Sequence, residues 1–122
     1  MLIEGQAAGG IAQGLGGALF EALLYDEDGQ PRAATFVDYL LPSAAEVPPV
    51  EVLICEDAPE PDRPLGAKGM GESGIVGMGA GVASAVDDAL GRPGAAAELP
   101  LTPKRVRALV EESRAHAAAA VG

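Results

Sequence analysis

Apolar residues recur at Ile11, Leu15, Ala18, Leu19, Ala22 and Leu23, the helical spacing of one core-facing stripe, and predict a helix over Gln6–Tyr25. Glycines at 9, 10, 14, 16 and 17 interrupt this pattern. Each weakens a helix by about 1 kcal/mol relative to Ala. A helix that keeps so many is expected to pack very closely against something on that side. Met1–Gly5 reads as the end of a strand or loop already in progress. Asp26-Glu27-Asp28-Gly29-Gln30-Pro31 is a strong turn signal, and Ala33–Leu41 then reads as a strand through Thr35, Phe36, Val37, Tyr39 and Leu40. Pro42, Pro48 and Pro49 bound a connector, and Val50–Cys55 gives a second apolar strand. The acidic, Pro-rich run Glu56–Pro64 is an exposed loop. From about Gly74 to Leu90 a buried helix is predicted, stopped by Gly91-Arg92-Pro93-Gly94. Thr102-Pro103 starts a last helix, with Thr as N-cap, Pro at the first helical position, and Val106, Leu109 and Val110 as its apolar side. The tail Ala115–Gly122 has few large side chains and is expected to fray. No internal repeat or boundary between two domains is visible.

Composition changes the picture in one respect, the strength of the core. Aromatic residues make up 3% of the 122 positions, with no Trp, so any core is built from Ala, Val, Leu and Ile. Seventeen Gly and ten Pro add loop and turn content. Marginal independent stability and a need for a partner are the expectation. The net charge of −10 disfavours a general role on nucleic acid or anionic membranes. A single cysteine, Cys55, excludes an internal disulfide framework and fits a reducing cytoplasm. Cys55 and the lone His116 lie far apart in sequence, which argues against a zinc site. Gly5–Leu24 has roughly membrane-spanning length, but Gln6, Gln13, Glu21 and its glycines make it too polar for a span.

The candidate chemistry sits between Gly66 and Gly81, where seven glycines surround Lys68 and Glu72. Such glycine density lets backbone N–H groups approach a ligand or another chain segment. A phosphate loop of the Walker type fails here, because Lys68 precedes Gly69 and no Ser or Thr follows at the required place. A dinucleotide fingerprint also fails: Gly77-x-Gly79-x-Gly81 follows a loop, and Asp87 and Asp88 fall inside the predicted helix. Glu72 reads either as an exposed acid favoured by a helix N-terminus or as a general base held near a reacting centre. Lys68 reads either as a solvated charge or as a ligand contact.

Two stretches taken together shift this balance. Gly5-Gln6-Ala7-Ala8-Gly9-Gly10-Ile11-Ala12-Gln13-Gly14-Leu15-Gly16 and Gly66-Ala67-Lys68-Gly69-Met70-Gly71-Glu72-Ser73 resemble the xanthine dehydrogenase family, more narrowly the molybdenum-binding large subunits of aldehyde oxidase and carbon monoxide dehydrogenase type. Asp38–Pro42 and Leu99–Pro103 match in the same order and approximate spacing, so the resemblance covers about residues 2–110.

The resemblance implies an α+β fold: a glycine-rich N-terminal helix, two or so strands and two C-terminal helices. These would form part of the second molybdenum-cofactor-binding domain. Residues 1–114 would be the C-terminal part of that domain and 115–122 an Ala-rich tail. It implies Glu72 as catalytic base in oxidative hydroxylation of an aldehyde, N-heterocycle or CO. Gln6 would contact a molybdenum–molybdopterin cofactor, of the cytosine dinucleotide form if the source is bacterial. Gly69, Gly71, Lys68 and Gln13 would support the pocket, with no protein ligand to the metal. The implied partners are the remainder of the large subunit, iron–sulfur and FAD subunits and a small-molecule substrate, in the cytoplasm. The family's large subunits are several times longer, and Cys55 alone cannot ligate an iron–sulfur cluster. The chain therefore reads as a split subunit, truncated frame or gene fragment, inactive alone; an inactive remnant or partner-dependent interaction domain is the alternative. Gly77-Met78-Gly79-Ala80-Gly81 is richer in glycine than the family pattern, which predicts a loose start to the following helix.

Overall fold

A computed structural model describes residues 1–119. Four helices carry the fold: α1 Leu2–Leu19, α2 Ser73–Val76, α3 Met78–Leu90 and α4 Pro103–Ala119. A short 3₁₀ turn, Pro64–Gly66, precedes the glycine-rich stretch. α1 packs on α2 and α3, and α3 packs on α4.

Of the five glycines that interrupt the predicted stripe, Gly10, Gly14 and Gly16 pack closely, as predicted, whereas Gly9 and Gly17 face open space. A Cβ on Gly10 would lie 3.1 Å from the Gly74 Cα and 3.2 Å from the Ile75 amide nitrogen, and one on Gly14 would lie 2.5 Å from the Met78 Cβ. Gly74 answers from the other side: a Cβ there would meet the Ala7 carbonyl and, at 2.9 Å, the Ile11 amide. Backbone therefore rests on backbone where α1 crosses α2. α1 nevertheless begins at Leu2, four residues before the predicted start, so Met1–Gly5 is not a strand end. It stops at Leu19, and Ala22–Tyr25 lies outside it.

The two predicted strands are absent among the described residues, whose sole β feature is an isolated bridge between Tyr25 and Pro31. This corrects the α+β expectation for the chain: its regular structure is helical. A strand needs a ladder partner, and no second strand is offered here. In Ala33–Leu41 local bonds replace a ladder. The Thr35 carbonyl accepts from the amides of Asp38 and Tyr39, and the Thr35 hydroxyl donates to Asp38 at 2.8 Å, closing a turn. Val50–Cys55 has neither ladder nor turn. The Asp26 turn holds as read, with the amides of Asp28 and Gln30 donating to the Asp26 carboxylate and Gly29 at φ 78°.

The predicted 74–90 helix is broken at Gly77 into α2 and α3, in line with a loose start. α3 ends with Gly91 at φ 62°, where the amides of Gly91 and Arg92 reach the Asp88 and Asp87 carbonyls, a Schellman arrangement. The Asp87 side chain then accepts from the amides of Gly94 at 2.6 Å and Ala96 at 2.7 Å. These bonds fix the 91–96 loop and hold the Asp87 carboxyl below its ordinary value. The loop delivers Ala96 and Leu101 to a small core with Leu109, surrounded by Leu19, Val82, Val86, Leu90 and Val106. The Leu101 amide donates to the Ala18 carbonyl at 2.7 Å, tying this core to the end of α1. Thr102 caps α4 through its hydroxyl and carbonyl, as expected. α4 continues, exposed, through Ala119, into the stretch expected to fray; 120–122 lie outside the described residues.

Two outcomes follow from this packing. Gly14→Leu should destabilise by roughly 1–3 kcal/mol through overpacking against Met78, whereas Gly9→Ala, with open space beside it, should stabilise by roughly 0.5–1 kcal/mol in urea titrations. The Asp87 contribution is present above the ordinary aspartate value and is lost as pH falls through its lowered value. Asp87→Ala should therefore lower the melting temperature at neutral pH and flatten its decline below the ordinary aspartate value.

Candidate functional site

The α1–α2 crossing decides where the glycine-rich stretch lies. With Gly74 seated on Ala7 and Ile11, the chain just before it is drawn to the N-terminal half of α1. A Cβ on Gly71 would sit 3.5 Å from the Gln6 side-chain nitrogen, so Gln6 and Gly71, 65 positions apart, meet at this face. Glu72 follows at the N-cap of α2 with φ −110° and ψ 8°, and its side chain makes no capping hydrogen bond. Glu72 and Gln6 are both exposed, so the carboxylate and the amide stand free for a further partner. Gln13 falls one heptad after Gln6, about 20° away around α1, and so lies along the same edge.

Five successive amides, from Lys68 to Glu72, form no hydrogen bond with any described residue. Ser73 resumes pairing, its amide and hydroxyl both donating to the Met70 carbonyl, at 3.0 and 2.9 Å. A run of free donors on a glycine-permitted backbone suits a polar or anionic group. Beside it opens a cleft of about 720 Å³, lined among others by Ala7, Ile54, Pro59, Lys68, Met70 and Ser73. The Lys68 ammonium donates across this cleft to the Ala58 carbonyl. It is thereby tied to the acidic, Pro-rich segment rather than to Glu72. Met70 and Ser73 escaped notice in the sequence because their place depends on how α2 docks on α1.

Among the described residues no cluster of His, Cys, Asp and Glu could hold a metal ion; a polar carrier molecule is another way in which a surface can hold one. The donor set fits such a carrier. Gln6 offers an amide that donates and accepts, the 68–72 backbone offers donors, and glycine leaves room at Gly71.

Comparison with known proteins covers most of the chain. Residues 1–48 match the molybdopterin cofactor-binding domain. The 6-hydroxypseudooxynicotine dehydrogenase complex subunit gamma of Paenarthrobacter nicotinovorans is 53% identical over 103 residues, 84% of this chain and 13% of that protein. The carbon monoxide dehydrogenase large chain of Afipia carboxidovorans is 42% identical over 89 residues, 73% of this chain and 11% of that one. Quinoline 2-oxidoreductase from Pseudomonas putida 86 superposes with a TM-score of 0.82 at 40% identity, over 92% of this chain and 14% of that one.

The chain belongs to the molybdopterin-binding large-subunit family.

It spans about one seventh or less of the relatives it matches. Gln6→Ala should lower molybdopterin retention several-fold in an assembled large subunit without lowering the melting temperature of this chain, since the Gln6 side chain is exposed and makes no hydrogen bond with any described residue. Molybdenum analysis and a thermal melt check the two halves of that expectation.

Proposed function

We infer that this chain is the C-terminal part of a molybdenum hydroxylase large subunit and contributes the catalytic glutamate and one side of the cofactor pocket. The observation that carries the reading is the meeting of Gln6 with Gly71 immediately before Glu72. A ligand touching the Gln6 amide would meet the glycine loop at Gly71, the neighbour of Glu72 in the chain. When bound, molybdenum–molybdopterin supplies the redox and oxygen-transfer chemistry that these side chains lack. Gln6 holds and orients the pterin through its amide, Gly69 and Gly71 keep the backbone close to it, and Gln13 and Lys68 support the surrounding surface. Glu72 takes the proton released during oxidative hydroxylation, the part of the reaction a positioned carboxylate can perform.

The substrate is an aldehyde, an N-heterocycle or CO, and iron–sulfur and FAD groups reside on partner subunits in a cytoplasmic complex. The cofactor is the cytosine dinucleotide form if the source is bacterial. Alone the chain is inactive, because the rest of the pocket is supplied from outside it. Among the described residues no helix is long and apolar enough to cross a membrane.

A second reading, a partner-dependent interaction domain without catalysis, draws on the small core. The buried hydrophobic side chains are Ala7, Ala18, Ala96, Leu101 and Leu109, while Phe36, Val37 and Leu53 are each more than 80% exposed. Partner dependence is common to both readings. Catalysis separates them.

The test replaces the matched residues of the Paenarthrobacter nicotinovorans gamma subunit, 53% identical, with this chain and assays the assembled complex. Glu72→Gln should lower turnover by roughly 10²–10⁴-fold with molybdenum content unchanged. Unchanged turnover would remove Glu72 from the reaction.

A further inference from the structure

The Glu72 side chain makes no capping hydrogen bond, so its backbone decides from which direction the carboxylate is presented. That backbone is unusual. Its angles, φ −110° and ψ 8°, fall in the sparsely populated bridge region, close to the third position of a type I turn. The turn is Met70-Gly71-Glu72-Ser73, closed by the Ser73 amide donating to the Met70 carbonyl at 3.0 Å. A single closing bond of this kind contributes little in water, and many turns lack it altogether. Here it is doubled. The Ser73 hydroxyl donates to the same Met70 carbonyl at 2.9 Å.

The residues on either side show what the second bond does. Gly74 is seated on Ala7 and Ile11 of α1, and the Ile75 amide donates to the Glu72 carbonyl at 3.2 Å. The C-terminal side of Glu72 is therefore anchored to α1. On its N-terminal side the amides from Lys68 to Glu72 have no partner among the described residues. The paired bonds from Ser73 join this open run to the anchored helix. Met70 is half-buried and, with Ser73, lines the cleft, so the turn stands at the edge of the candidate site.

We propose that Ser73 is a positioning residue, whose hydroxyl on the Met70 carbonyl sets the turn that presents the Glu72 carboxylate. It acts through the backbone of Glu72. The inference rests on the proposed role of Glu72 as base and names the residue that holds that base in place.

The gamma-subunit chimaera described above carries the test, with Ser73→Ala and Ser73→Thr read side by side. Ser73→Ala keeps the amide bond and removes the hydroxyl bond. Its kcat should fall roughly three- to tenfold, the worth of one hydrogen bond, with KM and molybdenum content unchanged. Amide exchange in the peptide 70–76, followed by mass spectrometry, should quicken by a similar factor with or without bound cofactor, while α3 keeps its protection. Ser73→Thr, which retains the hydroxyl, should restore both. In a Glu72→Gln background Ser73→Ala should cost nothing further, because the side chain it positions no longer acts as a base.

Unchanged kcat and unchanged exchange in Ser73→Ala would overturn the proposal. So would equal losses in Ser73→Thr, or a further loss on top of Glu72→Gln. A drop in molybdenum content or melting temperature that matches the drop in kcat would also overturn it, making Ser73 a support of the fold alone. If Glu72→Gln leaves turnover intact, the catalytic reading fails and this one fails with it. If Glu72→Gln impairs turnover and Ser73→Ala does not, this one fails alone.

Discussion

Everything in this chain depends on two helices crossing without side chains between them. Gly10 of α1 and Gly74 of α2 remove the Cβ atoms that would hold the two backbones apart, and Gly14 leaves room for the Met78 side chain of α3. Glycine in a helix interior is unfavourable on propensity, so the crossing is maintained against local preference by packing. It fixes the N-terminal half of α1 against the glycine-rich stretch, and from that follow the meeting of Gln6 with Gly71 and the exposed position of Glu72. The far end of α1 is held differently. Glu21 packs over Gly16 and accepts a 2.5 Å hydrogen bond from the Tyr39 hydroxyl, a contact that raises the Tyr39 pKa. The Ala18 carbonyl is taken by Leu101.

The rest of the molecule is two partial structures joined through α1 and α3. One is a small core around Leu101 and Leu109, closed by the Asp87 clamp on the 91–96 loop. The other is an open arc from Leu23 to Leu65, with turns at Asp26, Thr35 and Ser43 and large apolar side chains facing outward. Apolar side chains exposed in this number are unfavourable in water and would be stabilised by burial.

Much of this was legible from residue spacing. Most of the helix predicted over Gln6–Tyr25, the close packing of its Gly10 and Gly14, the Asp26 turn, the glycine stop at 91 and the Thr102–Pro103 start are all local signals, written in neighbouring residues. The two strands were not realised for the converse reason. Ala33–Leu41 and Val50–Cys55 have the composition of strands, but a strand is completed by its neighbour, and the described residues supply none. Family membership was legible because it rests on motifs, and the comparisons agree with it. Of the candidate residues, the sequence could single out Gln6, Gln13, Lys68, Gly69, Gly71 and Glu72. It could not show that Gln6 meets Gly71, that Lys68 turns to Ala58, or that Met70 and Ser73 line the cleft. Those facts depend on the docking of α2 on α1 and on the fold of 56–61.

The central claim is that the glycine crossing presents Gln6 and Glu72 to one cofactor. Diffraction from the assembled gamma-subunit chimaera, with anomalous differences collected at the molybdenum edge, tests it most directly. The account predicts a molybdenum peak beside the Glu72 carboxylate, with the Gln6 amide on the pterin. A peak remote from both residues, in a crystal where α1 and α2 cross as described, would contradict it.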